Sequence, residues 1–303
     1  MTAGGIELVA LDLDGTLIGD DLRLSPRTVA AVRAVVARGV HVSIVTGRMT
    51  SSALPYAREL GLRDPLVGYQ GALIREMPAA GSARLGRLLV HRPLAADVAR
   101  DTLPWCRAGG LAPHANHLER LIVGVDDPKA SDYSRYGSGR TTVVADLDAW
   151  LVHPVTKIIS VGDPPLADRA LARARADFAG RAEATVSHPM FLEFLAPGVS
   201  KGRALRFLAR RLGVDRRRTL AIGDQLNDLE MLAEAGVGVA MAGAPDVVRA
   251  SARVVAPSLA EDGVARVLEE LVLGRAGETA GLQSPGTVDP GRDRHAVVPH
   301  GRE

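Results

Sequence analysis

An apolar run from Leu8 to Leu13 is broken only by Asp12, and Asp14-Gly15-Thr16 then turns the chain. Ser25 and Pro26 open a helix, because serine caps free backbone N–H groups and proline loses nothing at the first helical position. Val29, Val32, Val35 and Val36 give that helix one apolar face, and Gly39 stands where a left-handed residue is wanted. His41 to Val45 is the next strand, ending at Thr46-Gly47-Arg48. Strand, helix and strand joined by tight connections form the unit of a parallel sheet. The alternation returns late in the chain. Ser200 opens a helix with Leu205, Leu208 and Leu212 on one side, and Gly213 closes it. A strand from Thr219 to Ile222 ends at Gly223-Asp224, a short helix covers Leu226 to Ala235, and a strand covers Val237 to Met241. Helix, strand and helix follow at 244–252, 253–256 and 263–273.

Between these two regions the pattern loosens. Pro and Gly breaks are more frequent, with strands expected at 120–125, 141–145 and 157–161 and an Ala/Arg-rich helix at 166–178. The expected fold is α/β, with a Rossmann-like parallel sheet core from residues 1–79 and 198–274. A large α+β cap domain is inserted at 80–197. Apolar periodicity disappears after Gly274, and 275–303 is expected to be a disordered tail, unable to bury enough surface to offset ordering entropy.

Composition narrows the classes. Of 303 residues, 47 % are hydrophobic but only 3 % aromatic, so the core must be built from Ala, Val and Leu. A net charge of +2 argues against a nucleic-acid binder, and the run Arg206, Arg210, Arg211, Arg216, Arg217, Arg218 is expected to be a solvated helix face. The single cysteine, Cys106, excludes a disulfide framework and a cysteine-rich metal site. No run approaches a membrane span and the N-terminus has no secretory pattern, so a cytoplasmic location is expected.

Three strand ends deliver polar groups directly after apolar runs: Asp12 to Thr16, Thr46 to Arg48, and Gly223-Asp224 with Asn227-Asp228. Open parallel sheets bind ligands at the C-terminal ends of their strands. If these strands are neighbours, at least three carboxylates converge. Such a cluster repels itself unless a proton or a hard cation intervenes. Mg²⁺, which takes a few carboxylates plus water and substrate phosphate, fits. Lys201 stands at a helix start, where the dipole disfavours a cation, and this points to an anion beside it.

These stations, in this order, resemble the haloacid dehalogenase-like hydrolase superfamily, and their spacing resembles its Cof-type phosphatase branch. The resemblance covers roughly 6–78 and 192–273. It rests on Asp12-Leu13-Asp14-Gly15-Thr16, on Thr46, on Lys201-Gly202, on Gly223-Asp224-Gln225-Leu226-Asn227-Asp228, and on Phe191 to Phe194 leading into Pro197 to Lys201. One departure is Gln70-Gly71-Ala72, where the family often has Asn. The resemblance implies a Mg²⁺-dependent phosphatase acting on a small-molecule phosphate ester. Asp12 would be the nucleophile, and Asp14 the general acid and base with its backbone carbonyl toward the metal. Asp224 would complete the metal ligands with Asp12 and Asp14. Gly15, Thr46, Gly47, Lys201 and Asn227 would bind phosphate, and Asp228 would support Lys201 or the metal's outer shell. His114, Asn116, His117, Arg120 and His188 are the polar cap residues that could reach the site, with His114 and His117 sharing a helical or turn face. Lys157 and Glu193 receive no catalytic role, and Trp105 and Trp150 are expected to pack. A phosphomutase, a pathway-dedicated sugar-phosphate phosphatase and a non-catalytic phosphometabolite-binding protein are the alternatives.

Overall fold

The computed structural model describes residues 5–125, 140–274 and 282. The strands, in chain order, are β1 Leu8–Leu11, β2 His41–Ile44, β3 Leu66–Gly68, β4 Leu73–Arg75, β5 Leu88–His91, β6 Ala112–His117 and β7 Arg120–Gly124. They continue with β8 Arg140–Val144, β9 Lys157–Val161, β10 Glu183–His188, β11 Phe191–Leu195, β12 Thr219–Gly223, β13 Val237–Met241 and β14 Val254–Ala256.

Five of them form a parallel sheet in the order β14-β13-β12-β1-β2. Side chains alternate across it as the strand period dictates. Val9 and Leu11 pack toward the cluster containing Val32, Val35, Val264 and Leu268, whereas Leu8 and Ala10 pack toward Leu205, Leu208 and Met231. Helices therefore cover both faces, as in a doubly wound fold. The Pro26–Ala37 helix is capped by Ser25 and followed by Gly39 at φ +78°, and the Lys201–Leu212 helix runs from Ser200 to a left-handed Gly213. The order places β1 between β12 and β2, so the ends carrying Asp12, Asp224 and Thr46 are adjacent.

Two further sheets build the rest. β3, β4 and β5 are antiparallel, and Val45 makes a parallel bridge to Val67, so this hairpin unit continues the edge of the parallel sheet. The sequence expectation of a division at residue 79/80 falls inside the β4–β5 connection. The six-stranded sheet, β10-β11-β9-β6-β7-β8, is antiparallel except for β7 with β8. One face packs on the helices Ala96–Ala108 and Leu166–Asp177 through Ile158, Leu192 and Phe194. The opposite face presents Ile159, Val161, Phe191 and Leu195 to Met49, Tyr69 and Leu73.

β6 was not among the expected strands. Its sequence, Ala-Pro-His-Ala-Asn-His, has no β-branched residue, and it is held by β7 and β9 on its two sides. His114 and His117 consequently lie an odd number of residues apart on a strand and face opposite ways, which corrects the expected shared face. The expected tail lies outside the described residues apart from Leu282, which packs on the core. Among the described residues no helix is long and apolar enough to cross a membrane.

Candidate active site

Asp12 follows β1 directly and is 4 % exposed. Its Oδ1 lies 2.6 Å from Nζ of Lys201, and the same ammonium donates to Asp228 Oδ1 at 2.8 Å. Lys201, in the first turn of its helix, is fully buried, so the two carboxylates replace the hydration it has lost. Asp228 has a second task, because its Oδ2 accepts from the backbone N–H groups of Asp224 and Gln225, each at 3.0 Å. These bonds turn the chain after β12 and aim Asp224 back toward β1. There Asp224 Oδ1 accepts from the Thr16 hydroxyl at 2.7 Å. Gly15 has φ +80°, and a Cβ on it would stand 2.2 Å from Asp224 Oδ2, so only glycine lets this loop and carboxylate approach.

Asp12, Asp224 and Asp228 each offer an oxygen within 4.8 Å of the others, all buried. Three carboxylates against one ammonium leave surplus negative charge out of water. Burial, then Asp228, pushes the Asp12 carboxyl well up despite Lys201. Burial and Asp228 push Asp224 up to about 7, against the pull of the Thr16 hydroxyl. Lys201 is raised as well: burial lowers it, but Asp12 and Asp228 together hold it above an ordinary lysine. The cluster therefore keeps a proton unless a cation joins it. An all-oxygen donor set of this charge fits a hard divalent ion. Asp228 spends its oxygens on Lys201 and two backbone N–H groups, which leaves Asp12 and Asp224 as the carboxylates with oxygen to spare. Oδ1 of Asn227 is buried with no hydrogen-bond partner, a further oxygen beside the same cavity.

Asp14 is placed differently. Its carboxylate is gripped by Arg48, with Nε donating to Oδ2 at 2.8 Å and the second guanidinium nitrogen to Oδ1. Sequence reasoning gave Arg48 no role. Thr46 is buried at the end of β2 and its hydroxyl accepts from Arg48 N at 3.1 Å. A Cβ on Gly47 would stand 2.4 Å from Gln70 Nε2, so a side chain there would displace the Gln70 amide.

The six-stranded sheet closes the site from above. Lys157 and Glu193 lie diagonally across β9 and β11 on the site-facing side, both about 1 % exposed and 2.9 Å apart. Lys157 Nζ also donates to Gly47 O at 3.1 Å. Glu193 accepts from Gln70 Nε2 at 3.3 Å, and Gln70 Oε1 accepts from Asn227 Nδ2 at 3.0 Å. Gln70, the departure noted in the sequence, thus links the Asp224 loop to the cap. The cavity is about 50 Å³ and is lined by Asp12, Asp14, Thr46, Lys157, His188 and Glu193 among others. Of the cap residues considered from sequence, His188 lines it, whereas His114, Asn116, His117 and Arg120 do not. The signal for Lys157 and Glu193 was present: each is a lone charge inside an apolar strand, and such charges need a partner.

The model of haloacid dehalogenase-like hydrolases matches residues 9–268. The chain belongs to the haloacid dehalogenase-like hydrolase family. It is 31 % identical over 271 residues to a 5-amino-6-(5-phospho-D-ribitylamino)uracil phosphatase of Bacillus subtilis, covering 87 % of this chain and 96 % of that one. It is 30 % identical over 237 residues to an HMP-PP phosphatase of Serratia proteamaculans, covering 78 % and 84 %. Among solved structures, a haloacid dehalogenase-like hydrolase from Bacteroides thetaiotaomicron superposes with a TM-score of 0.74 at 26 % identity, covering 88 % of this chain and 99 % of that one. The parallel sheet with its cap is therefore the family's arrangement, and the three motif-bearing strand ends converge in it.

Proposed function

We propose that this haloacid dehalogenase-like hydrolase is a Mg²⁺-dependent phosphatase that cleaves a small phosphomonoester through an aspartyl phosphate on Asp12. The observation that carries the reading is the buried Asp12 carboxylate, held by Lys201 and set beside Asp224 at the adjoining strand end. The names of the two curated relatives point to small phosphorylated metabolites as the substrate class.

Asp12 attacks phosphorus in line, and the ester P–O bond breaks. Asp14, beside the cavity, gives a proton to the leaving alkoxide, then takes one from the water that hydrolyses the acyl phosphate. The structure holds Asp14 in the grip of Arg48, so Asp14 must leave that pair before it can carry the proton. Lys201 and Thr46 hold oxygens of the transferred phosphoryl group, and Lys201 offsets the charge that grows on them. Asp12 and Asp224, with the Asp14 carbonyl, would hold Mg²⁺, which supplies charge neutralisation and alignment of the phosphate against Asp12. Asp228 keeps Lys201 and the Asp224 loop in place. A cavity of about 50 Å³ is far below the several hundred that small-molecule sites occupy, so substrate enters with the cap lifted and reacts with it closed. We place that cap after β5, between about residue 92 and residue 197, because β5 belongs to the β4 hairpin.

The test is hydrolysis of an aryl phosphate by the purified chain with and without Mg²⁺, with acid-quenched mass analysis. Free inorganic phosphate, dependence on Mg²⁺, a phosphoryl group on Asp12, and a loss of at least about 10³-fold in Asp12→Asn are expected. Full activity in Asp12→Asn, or an isomeric ester as the product, would refute it.

A further inference from the structure

The basic stretch that composition left as a solvated face divides in two. Arg211 pairs with Glu76, Arg216 with Glu234, Arg217 with Asp215 and Arg218 with Glu7. Arg206 reaches both Glu230 and Glu234. Among the described residues, Arg203 and Arg210 of the same helix have no carboxylate partner, and neither has Arg92 just after β5. These three arginines and Arg206 line one groove of about 240 Å³, on the side of the Lys201–Leu212 helix that faces β4 and β5. Ile74, Val90 and Phe207 contribute its apolar part, and Gly198 to Ser200 its end wall. At that end Glu183 accepts from Gly198 N at 2.8 Å.

Arg203, Arg206 and Arg210 recur at i, i+3 and i+7, so like charges share one face of a helix and repel. Arg92 adds a fourth from the opposite wall. On this helix Arg206 and Arg211 have found carboxylates, whereas among the described residues Arg203 and Arg210 have not. We propose that this groove is a second binding site, for a compact anion carrying two phosphate groups, separate from the Asp12 site. Three unmatched guanidinium groups ask for roughly the charge of such an anion, and guanidinium forks match phosphate oxygens. The volume is too small for a nucleotide with its base enclosed. Both chain crossings into the cap contribute to the wall, Arg92 at the first and Gly198 to Ser200 at the second. An anion bridging Arg92 to Arg203 therefore ties the first crossing to the helix that begins with Lys201, and occupancy biases cap position.

Pyrophosphate is titrated calorimetrically into the full chain carrying Asp12→Asn, and into the same chain also carrying Arg203→Gln and Arg210→Gln. The expected result is a binding event weakened at least about tenfold by the arginine exchanges, with thermal stability in the absence of anion kept or raised as repulsion is relieved. A parallel titration of Arg217→Gln, whose side chain is paired outside the groove, should match the parent. Binding that is unaffected by the Arg203 and Arg210 exchanges, or reproduced by chloride at the same ionic strength, would overturn the proposal. So would the absence of binding beyond the Asp12 site.

Discussion

Two lysines are buried at this site, and the protein treats them in opposite ways. Lys201 faces two carboxylates, Asp12 and Asp228, and its charge is secured above the ordinary lysine range although burial works against it. Lys157 faces one, Glu193, together with the Gly47 carbonyl and the Tyr69 ring, whose centroid is 5.4 Å away; there burial wins and its basicity falls. The difference follows from where the partners live. Those of Lys201 stand at the strand ends of the parallel sheet and stay beside it whatever the cap does. The Lys157–Glu193 pair belongs to the cap sheet, and it reaches the core through Gly47, Gln70 and the Tyr69 ring. A lifted cap returns this pair to water. One lysine is thus a fixed charge, the one the proposed mechanism uses, and the other belongs to a contact whose energy depends on closure.

Removing the fixed charge should have the largest effect on turnover. Lys201→Met is expected to lower kcat by about 10²–10³-fold, as for loss of a transition-state donor, with a smaller change in KM. An unchanged kcat in steady-state assays would move Lys201 out of the phosphate site.

The surplus charge that Lys201 leaves unbalanced should appear as a pH dependence of stability in chelator. Asp224 titrates at about 7 in the fold, against an ordinary value of 3.8. Between those values the folded chain holds a proton that the unfolded chain has lost. Stability of the metal-free protein therefore falls as pH rises from about 4 through about 7, and Asp12, raised by the same burial, adds to the decline. Thermal melts in EDTA should show that decline. Excess Mg²⁺ should flatten it, and Asp224→Asn in EDTA should make it shallower.

The closure-dependent pair should respond more weakly. Lys157→Met leaves Glu193 buried without its cation. Breaking such a pair costs about 3–5 kcal/mol where the charge must stay buried, but here the cap can lift and rehydrate it. A fall of ten- to a hundredfold in kcat/KM is expected, with little change in the melting of the core. Lys157→Met combined with Glu193→Leu should recover part of the loss. Additive losses in that double-mutant cycle would show that the two side chains act separately.

The same contrast explains what the sequence could disclose. The Asp12, Thr46, Lys201 and Asp224 stations are local strings at strand or helix ends, and the doubly wound alternation brings them together. Asp14 was legible as a site residue, but its hold by Arg48 was not, because that contact joins two separate loops. The Lys157–Glu193 pair depends on the register of β9 against β11, which no local pattern in either strand specifies. Gln70 was noticed as a departure, but its bridge between Asn227 and Glu193 requires a left-handed backbone at φ 58°, which an amide side chain does not announce. β6 was missed because its stability comes from its neighbours rather than from its own residues.

A third contact tests whether closure is governed at the site or at the cap's edge. The turn between β6 and β7 carries Glu119 onto the core, where it accepts from the Thr50 hydroxyl and from Ser51 N at 3.0 Å, and pairs with Arg75 at 3.1 Å. The Thr50–Glu59 helix has no side-chain cap of its own, so a cap residue neutralises its positive end. Tyr69 OH donates to Leu118 O in the same turn. All of these bonds break when the cap lifts, and none touches the cavity. Glu119→Gln keeps the shape and removes the charge, which should cost closure about 1 kcal/mol and lower kcat/KM roughly fivefold. Because the residue lies outside the chemistry, the loss should be the same for a small aryl phosphate and for a preferred metabolite. A larger loss for the metabolite alone would mean that Glu119 helps to select the substrate rather than only to hold the cap down.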